Sequence, residues 1–151
     1  MNSLIKSILV CGIASTLPMV SYADLKVFNH SKVAATADAF NPKTNYHSPC
    51  SSYLGSSGVM EPNGDPVTIP DWAINMTCQP KCEVNIYMDR SCASARKFAT
   101  AVVEPKNGVT SVNNLPNADG ITINKKTNTE LSIEGGSKAS IFETMLKKLG
   151  V

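Results

Sequence analysis

The sequence is poor in charged and aromatic residues. Charged residues make up 17% and aromatic residues 6% of the 151 residues, and the formal net charge is only +2. A charge balance this close to zero gives no reason to expect nucleic acid or an anionic membrane surface as a partner. After residue 23 the sequence also lacks an apolar run of about 20 residues, so we expect no transmembrane segment in the mature protein.

Catalytic and cofactor-binding motifs are also absent from the sequence. It contains two histidines, His30 and His47, and no Gly-x-Ser-x-Gly nucleophile motif. Ser56-Ser57-Gly58 lacks the lysine of a phosphate-binding loop. We therefore expect no cofactor and favour a non-enzymatic binding module. The alternative is a small secreted hydrolase that uses His47 with nearby hydroxyl or carboxylate groups, for example those of Ser51 and Asp65.

Residues 1–23 have the three parts of a secretory signal peptide. Lys6 supplies a positive charge, 8–20 is largely apolar, and Ser21-Tyr22-Ala23 places small residues where a signal peptidase cleaves. The apolar stretch is too short and too interrupted to span a bilayer. Cleavage is therefore expected before Asp24, and the mature protein is expected to be secreted or periplasmic.

A lipoprotein signal is the alternative for this segment, with Cys11 as the lipidated residue. Val10 is bulky where that chemistry requires glycine or alanine, so we favour the ordinary signal. The remaining 24–151 has the size of one domain, since domains commonly contain roughly 100–150 residues.

Four cysteines remain after cleavage, namely Cys50, Cys78, Cys82 and Cys92. An even number of cysteines in an oxidising compartment predicts two disulfide bonds. A zinc site formed by Cys78, Cys82 and Cys92 is the alternative, but neither histidine lies near them in sequence. We therefore expect no metal.

Short stretches of alternating apolar residues predict a mainly β fold. Their period of two places the apolar side chains on one face of each strand. About eight such strands joined by turns are typical of a small antiparallel β-sandwich or barrel. The predicted strands include 25–28, 72–78, 82–88, 97–104, 109–112, 121–123 and 131–133.

The clearest predicted hairpin covers 72–88. Folding the chain about Pro80 places Trp72 opposite Met88 and brings both apolar sets to one face. Trp72 is then predicted to lie in the core. Tyr87 lies on the other face, where it could contribute to recognition.

The same register suggests how the cysteines pair. It places Cys78 directly opposite Cys82, and opposed residues bring Cβ atoms to about 4.5–5.5 Å, near what a disulfide needs. We therefore favour Cys78–Cys82 and Cys50–Cys92. Cys82–Cys92 with Cys50–Cys78 is the alternative, and the sequence does not decide between them.

The stretch 41–66 has the composition of a long loop and contains the candidate binding residues. It is rich in Asn, Pro, Ser and Gly, and Cys50 would tie it to the scaffold. Long loops on a rigid β scaffold often carry binding residues. The alternative is a plain connector across the end of the sandwich. The candidate binding residues are Tyr46, His47, Ser51, Ser52 and Tyr53.

A C-terminal helix is predicted over about 138–149. Apolar residues from Ile141 to Leu149 follow helical spacing, and Ser140 with Glu143 has the form of a capping box. A helix of about ten residues is marginal alone, so it must dock on something. Covering an open edge of the sheet is the favoured role, and contact with a membrane or partner is the alternative.

The layout resembles small exported proteins of host-associated Gram-negative bacteria. The resemblance covers 50–92 and consists of Cys50-Ser51-Ser52, the pair Cys78 and Cys82, and Tyr87-Met88 followed by Cys92. It implies secretion and brings no catalytic residues with it. The expected partner is a protein or glycan outside the cytoplasm.

Overall fold

The computed structural model describes residues 23–136, 145–146 and 148–150. The predicted signal peptide therefore lies outside the described residues, apart from Ala23. Most of the predicted C-terminal helix also lies outside them. Within it, Met145, Leu146, Lys148 and Leu149 have helical conformation.

Nine strands form two facing sheets, which confirms the predicted mainly β, sandwich-like fold. Strands account for 42% of the described residues and helical segments for 18%. The strands are β1 Leu25–Asn29, β2 Thr36–Asn41, β3 Tyr46–His47, β4 Val67–Ile69, β5 Cys82–Tyr87, β6 Lys97–Glu104, β7 Gly108–Asn114, β8 Thr122–Thr127 and β9 Glu130–Glu134.

The first sheet has the strand order β4-β1-β9-β8 and the second has the order β3-β2-β5-β6-β7. All pairs are antiparallel except β1 with β9, which run parallel. The predicted sandwich was entirely antiparallel. The parallel pair β1–β9 corrects this, and it arises because the first and last strands of the fold lie side by side. The N-terminal strand is therefore an interior strand of its sheet.

The core lies between the sheets and is built from aliphatic side chains with one large aromatic. The fully buried apolar residues come mainly from β6, β8 and β9 and their flanking turns. The largest of them are Phe98, Ile121, Ile123, Leu131, Ile133, Val103 and Val109.

The predicted strand 72–78 is wrong, because Asp71–Thr77 forms an α-helix, here called α1. Alternation over seven residues also satisfies helical spacing, since Trp72 and Met76, like Ile74 and Cys78, are four residues apart. Ile74 and Cys78 are buried, whereas Trp72 is exposed and does not belong to the core. The N–H of Asp71 at the helix start donates to Asp24 Oδ1 at 3.0 Å.

The two later hairpins form as predicted, although one differs in register. Strands β6 and β7 pair around the turn 105–107. In the pair β8–β9, Ile123 lies opposite Ile133. Reflecting the sequence about Thr127 predicts Ile121 in that place instead. The loop 128–129 is shorter than expected, because β8 continues to Thr127.

One side of the sandwich is closed and the opposite side is open. On the closed side, the side chain of Asn114 in β7 exchanges two hydrogen bonds with the backbone of Ile123 in β8, at 3.0 and 2.7 Å. On the open side, β4 and β2 are not paired with each other. Helix α1 and the loop 48–58 lie along this opening.

Candidate functional site

An apolar groove with a volume of about 360 Å³ lies at the open side of the sandwich. Helix α1 forms one wall and the loop 48–54 forms the other. The inner faces of β2, β5 and β6 supply the floor through Ala37, Ala39, Val84 and Val103. This volume lies within the range of roughly 300–1,000 Å³ that is common for ligand sites.

The groove exists because strand β2, which forms part of its floor, carries small side chains. Ala37 and Ala39 of β2 lie opposite Ile86 and Val84 of β5. Alanines at these positions leave space between the sheets at their open side, which larger side chains would fill. Both alanines remain partly accessible although they pack against the core.

Two serines in the loop 48–58 satisfy the part of the β2 edge that strand β3 leaves unpaired. Ser48 Oγ accepts from the N–H of Ala39 at 2.8 Å, and Ser51 Oγ accepts from the N–H of Ala37 at 3.0 Å. Each hydroxyl also donates within the loop, Ser48 to the carbonyl of Pro49 and Ser51 to that of Gly58. These hydroxyl protons are therefore not available to a ligand, and the groove is chemically apolar.

The rim of the groove exposes four large apolar side chains. Tyr53 and Leu54 project from the loop and are 85% and 74% exposed, while Trp72 and Met76 project from α1 and are 63% and 76% exposed. Groups of exposed aromatic and aliphatic side chains beside a cavity mark interaction sites far more often than isolated ones do. We call these four residues the apolar rim.

Both walls are tied to the scaffold by disulfide bonds. Cys50–Cys92 holds the loop, with Cα atoms 5.8 Å apart. Cys78–Cys82 joins the end of α1 to the start of β5, with Cα atoms 4.5 Å apart. This is the pairing that the sequence favoured, but the second bond links a helix to a strand rather than two strands of a hairpin.

Gly58 fixes the closing turn of the loop. A Cβ at this position would lie 1.8 Å from the carbonyl oxygen of Ser51. The segment Ser51–Gly58 is helical of the 3₁₀ type and is interrupted at Gly55. Because the backbones of Gly58 and Ser51 approach closely, the Ser51 hydroxyl can bond both the carbonyl of Gly58 and the N–H of Ala37 in β2.

The candidate binding residues from the sequence divide into two groups. Ser51 and Tyr53 line the apolar groove, Ser51 in a structural role and Tyr53 on the rim. Ser52 donates a hydrogen bond to Cys50 Sγ at 3.3 Å. Tyr46 and His47 form strand β3 and do not line the groove.

The residues of the hydrolase alternative are not brought together. His47 stacks on Phe40 with ring centroids 4.3 Å apart. Phe40 follows Ala39 in β2, so its side chain points to the opposite face from the groove. The hydroxyl of Ser51 is on the groove side, and no hydrogen bond joins His47 to Ser51 or Asp65 within the described residues.

Tyr87 is buried rather than available for recognition. Its hydroxyl donates to Asp38 Oδ2 at 2.9 Å, and Asn85 Nδ2 donates to Asp38 Oδ1 at 2.8 Å. Burial and the neighbouring Asp38 raise the pKa of Tyr87 to about 12. This cluster joins β2 to β5 on the outer face of the sheet.

A second polar cluster lies on the four-stranded sheet and is also structural. Ser132 is buried, donates to Glu134 Oε1 at 3.0 Å and contacts His30 Nδ1 at 3.2 Å. Only 1% of Ser132 is exposed, so its hydroxyl is not accessible to a substrate. Among the described residues, no group of three His, Cys, Asp or Glu side chains is placed to hold a metal ion.

Sequence reasoning missed the α1 half of the site. The signal was Pro70 followed by Asp71, since proline before a helix and an acidic first turn are typical of helix starts. The pair Trp72 and Met76 at helical spacing would then have indicated an exposed apolar stripe.

Comparison with protein-family models, curated proteins and solved structures finds no match to this chain. Within the described residues, no helix has the length and apolarity needed to cross a membrane.

Proposed function

We propose that this protein is a secreted or periplasmic, non-enzymatic binding module that captures an apolar segment of a protein partner in the groove. The observation that carries the proposal is the apolar rim, in which Tyr53, Leu54, Trp72 and Met76 are exposed around one cavity. Tyrosine and tryptophan are enriched among residues that dominate binding energy, and methionine adapts to varied apolar surfaces.

The chemistry of the groove favours a protein segment over a glycan. Sugar recognition needs hydrogen-bonding groups beside an aromatic ring. The serine hydroxyls nearest the groove, those of Ser48 and Ser51, bond to the protein itself. An apolar side chain can reach the floor formed by Ala37, Ala39, Val84 and Val103 without leaving polar groups unsatisfied, whereas a sugar hydroxyl there would lose its hydrogen bonds.

The extracytoplasmic location rests on the sequence and on the disulfide bonds. Residues 1–23 have signal-peptide layout, and all four later cysteines are paired. The support for a rigid binding surface is that one disulfide anchors each wall. Anchored walls lose less conformational entropy when a partner binds.

Selection of random linear peptides displayed on phage tests the proposal. We expect enriched peptides to be rich in apolar residues and to bind the double variant Tyr53→Ser, Trp72→Ser at least about tenfold more weakly, since truncating such anchors costs about 1–2 kcal/mol each. Tyr46→Ser is the matched control, because Tyr46 is an exposed tyrosine outside the groove. Failure to enrich peptides, or equal binding to the double variant, contradicts the proposal.

A further inference from the structure

The methionines of the chain differ sharply in exposure. Four of the six lie outside the predicted signal peptide. Met76 and Met145 are 76% and 59% exposed, whereas Met60 and Met88 are only 4% and 5% exposed. An oxidant in solution reaches a methionine sulfur where the side chain is accessible. Met76 and Met145 are therefore the two that an oxidant can modify while the protein stays folded.

Of these two methionines, only Met76 belongs to the proposed binding site. It lies on the wall formed by α1 and is the one methionine among the described residues that line the groove. Trp72 precedes it by four residues, and residues at this spacing are neighbours on a helix surface. A chemical change at the sulfur of Met76 is therefore a change within the apolar rim.

A polar atom added to Met76 would leave the packing of α1 undisturbed. The helix is held from its other side, where Ile74 and Cys78 are buried and Cys78 is bonded to Cys82. The exposed side chain of Met76 takes little part in this packing. In the free protein, a sulfoxide oxygen on Met76 would be solvated by water, so the fold would not oppose it.

The same oxygen would oppose binding in the groove. An apolar group of a partner that covered a sulfoxide would remove its hydrogen bonds to water and would offer no donor in exchange. The hydroxyl protons of Ser48 and Ser51 are already used within the loop. The cost of oxidation would therefore fall on the complex and not on the free protein, so affinity would change and stability would not.

We infer that Met76 is an oxidation site that switches off the apolar groove, with a peroxide as the oxidant. The O–O bond of the peroxide breaks and one oxygen atom is transferred to Met76 Sδ. The sulfur loses two electrons and becomes a sulfoxide, while the peroxide is reduced to water or an alcohol. Sulfoxide reductases reverse this change. The inference rests on the proposed function and adds a regulation of the same site.

Peptide mapping by mass spectrometry tests the site itself. The folded protein is treated with hydrogen peroxide for increasing times, and the gain of one oxygen atom is followed at each methionine. We expect Met76 and Met145 to be oxidised at least about tenfold faster than Met60 and Met88, because the latter are buried. Equal rates for Met76 and the buried pair would overturn the inference, and this result does not depend on any ligand.

Titration with the neutral apolar fluorophore N-phenyl-1-naphthylamine tests the consequence. We expect the oxidised protein to bind it about tenfold more weakly than the untreated protein, with an unchanged urea midpoint. Met76→Leu keeps an apolar side chain of similar volume and is expected to retain its affinity after the same treatment. Met145→Leu is the matched control, and its affinity is expected to fall as in the wild-type protein, because Met76 is still present.

The outcomes separate the inference from the proposed function. If the untreated protein does not bind the fluorophore, both are overturned. If it binds equally well before and after oxidation, or if Met76→Leu loses as much affinity on oxidation as the wild-type protein, only the inference is overturned. A lower urea midpoint accompanying the loss of binding would also overturn the inference alone, because the fold and not the groove would then have changed.

Discussion

At the scale of single residues, Asn41 connects the end of α1 to strand β2. It is buried, and its side chain makes three hydrogen bonds with the backbone of Lys43, Thr77 and Gln79. The carbonyls at a helix end have no partner within the helix, so an external donor stabilises them. Asn41 therefore sets the position of the wall that carries Trp72.

Replacing Asn41 with alanine is expected to lower the free energy of unfolding by about 1–3 kcal/mol, because buried polar groups lose their partners. Urea denaturation measures the change. Asn113→Ala is the control, since Asn113 is exposed on β7, and it is expected to stay within about 0.5 kcal/mol. An equal effect of the two substitutions would show that Asn41 does not hold the helix end.

Tyr87 makes stability depend on pH in the alkaline range. Its pKa is raised from 10.0 to about 12 by burial and by Asp38. A raised pKa means that the folded state favours the neutral phenol, so the stabilisation is complete below pH 10 and is lost as the pH rises toward 12. We expect unfolding free energy to fall over this interval and to fall less in Tyr87→Phe. Chemical denaturation at successive pH values measures it, and identical profiles for both proteins would refute the assignment.

At the scale of elements, α1 places one apolar pair inward and another outward. Ile74 and Cys78 are buried, and Trp72 and Met76 lie on the rim. The seven-residue helix is too short to be stable alone. Packing of Ile74, the disulfide at Cys78 and the bond from Asn41 hold it in place.

The helical assignment of 71–77 is tested by comparing Ile74→Ala with Trp72→Ser. We expect Ile74→Ala to cost about 2–4 kcal/mol, since it removes buried aliphatic atoms. Trp72→Ser is expected to change stability by less than about 0.5 kcal/mol, because its side chain is exposed. Thermal and urea unfolding give both values. The predicted hairpin of 72–88 places both side chains on its apolar face, so it would make both substitutions costly.

Elements with a long or unambiguous pattern could be predicted from the sequence, and short ones could not. Strand β6 contains eight residues, of which Ala99 to Glu104 alternate between buried and partly buried, and it precedes a turn containing Asn107-Gly108, so its bounds were predicted correctly. Strand β2 was missed, since Thr36-Ala37-Asp38-Ala39-Phe40-Asn41 has few residues that favour strands. The alanines that weaken this signal are the residues that leave space for the groove.

The candidate site was predicted only in part for a related reason. Tyr53 and Ser51 belong to the loop that the sequence identified, and the structure places them at the groove. Trp72 and Met76 were assigned to the core because large apolar residues are usually buried. They are exposed because 71–77 is a helix. An alternating pattern of seven residues fits a helix and a strand equally well, so the sequence did not reveal this.

At the scale of the whole molecule, two disulfide bonds constrain the open side of the sandwich. Cys50–Cys92 spans 42 residues in sequence and Cys78–Cys82 spans 4. In the chain-entropy description, the longer loop contributes more to stability, about 4 kcal/mol against about 2 kcal/mol. Both bonds lie beside the groove, so they stabilise the fold and the walls together.

We therefore expect Cys50→Ser, Cys92→Ser to destabilise the protein by more than Cys78→Ser, Cys82→Ser. Urea denaturation under non-reducing conditions measures both free energies, and mass spectrometry checks that the remaining bond is intact. The reverse order would show that local contacts of α1, and not constraint of the unfolded chain, dominate the effect of these bonds.

The sandwich is closed on one side and open on the other, and the open side provides the groove. Asn114 closes one side by bonding β7 to β8. The other side is left to α1 and the loop 48–58, which cover it incompletely and leave the apolar groove. A second cavity of about 270 Å³ lies at the end of the sandwich, where the turn 104–108 and Asn128 provide polar backbone groups. It shares Leu25, Ile74 and Val103 with the groove but has none of the apolar rim.

Amide NMR spectra of the isotope-labelled protein, recorded while the neutral apolar fluorophore N-phenyl-1-naphthylamine is added, test the central claim most directly. Our account predicts that the largest shifts fall on β2 at Ala37–Ala39, on the loop 48–54 and on α1, and that Tyr53→Ser, Trp72→Ser reduces them. Shifts centred instead on the turn 104–108, or an absence of shifts in the wild-type protein, would contradict the claim that this groove is the binding site.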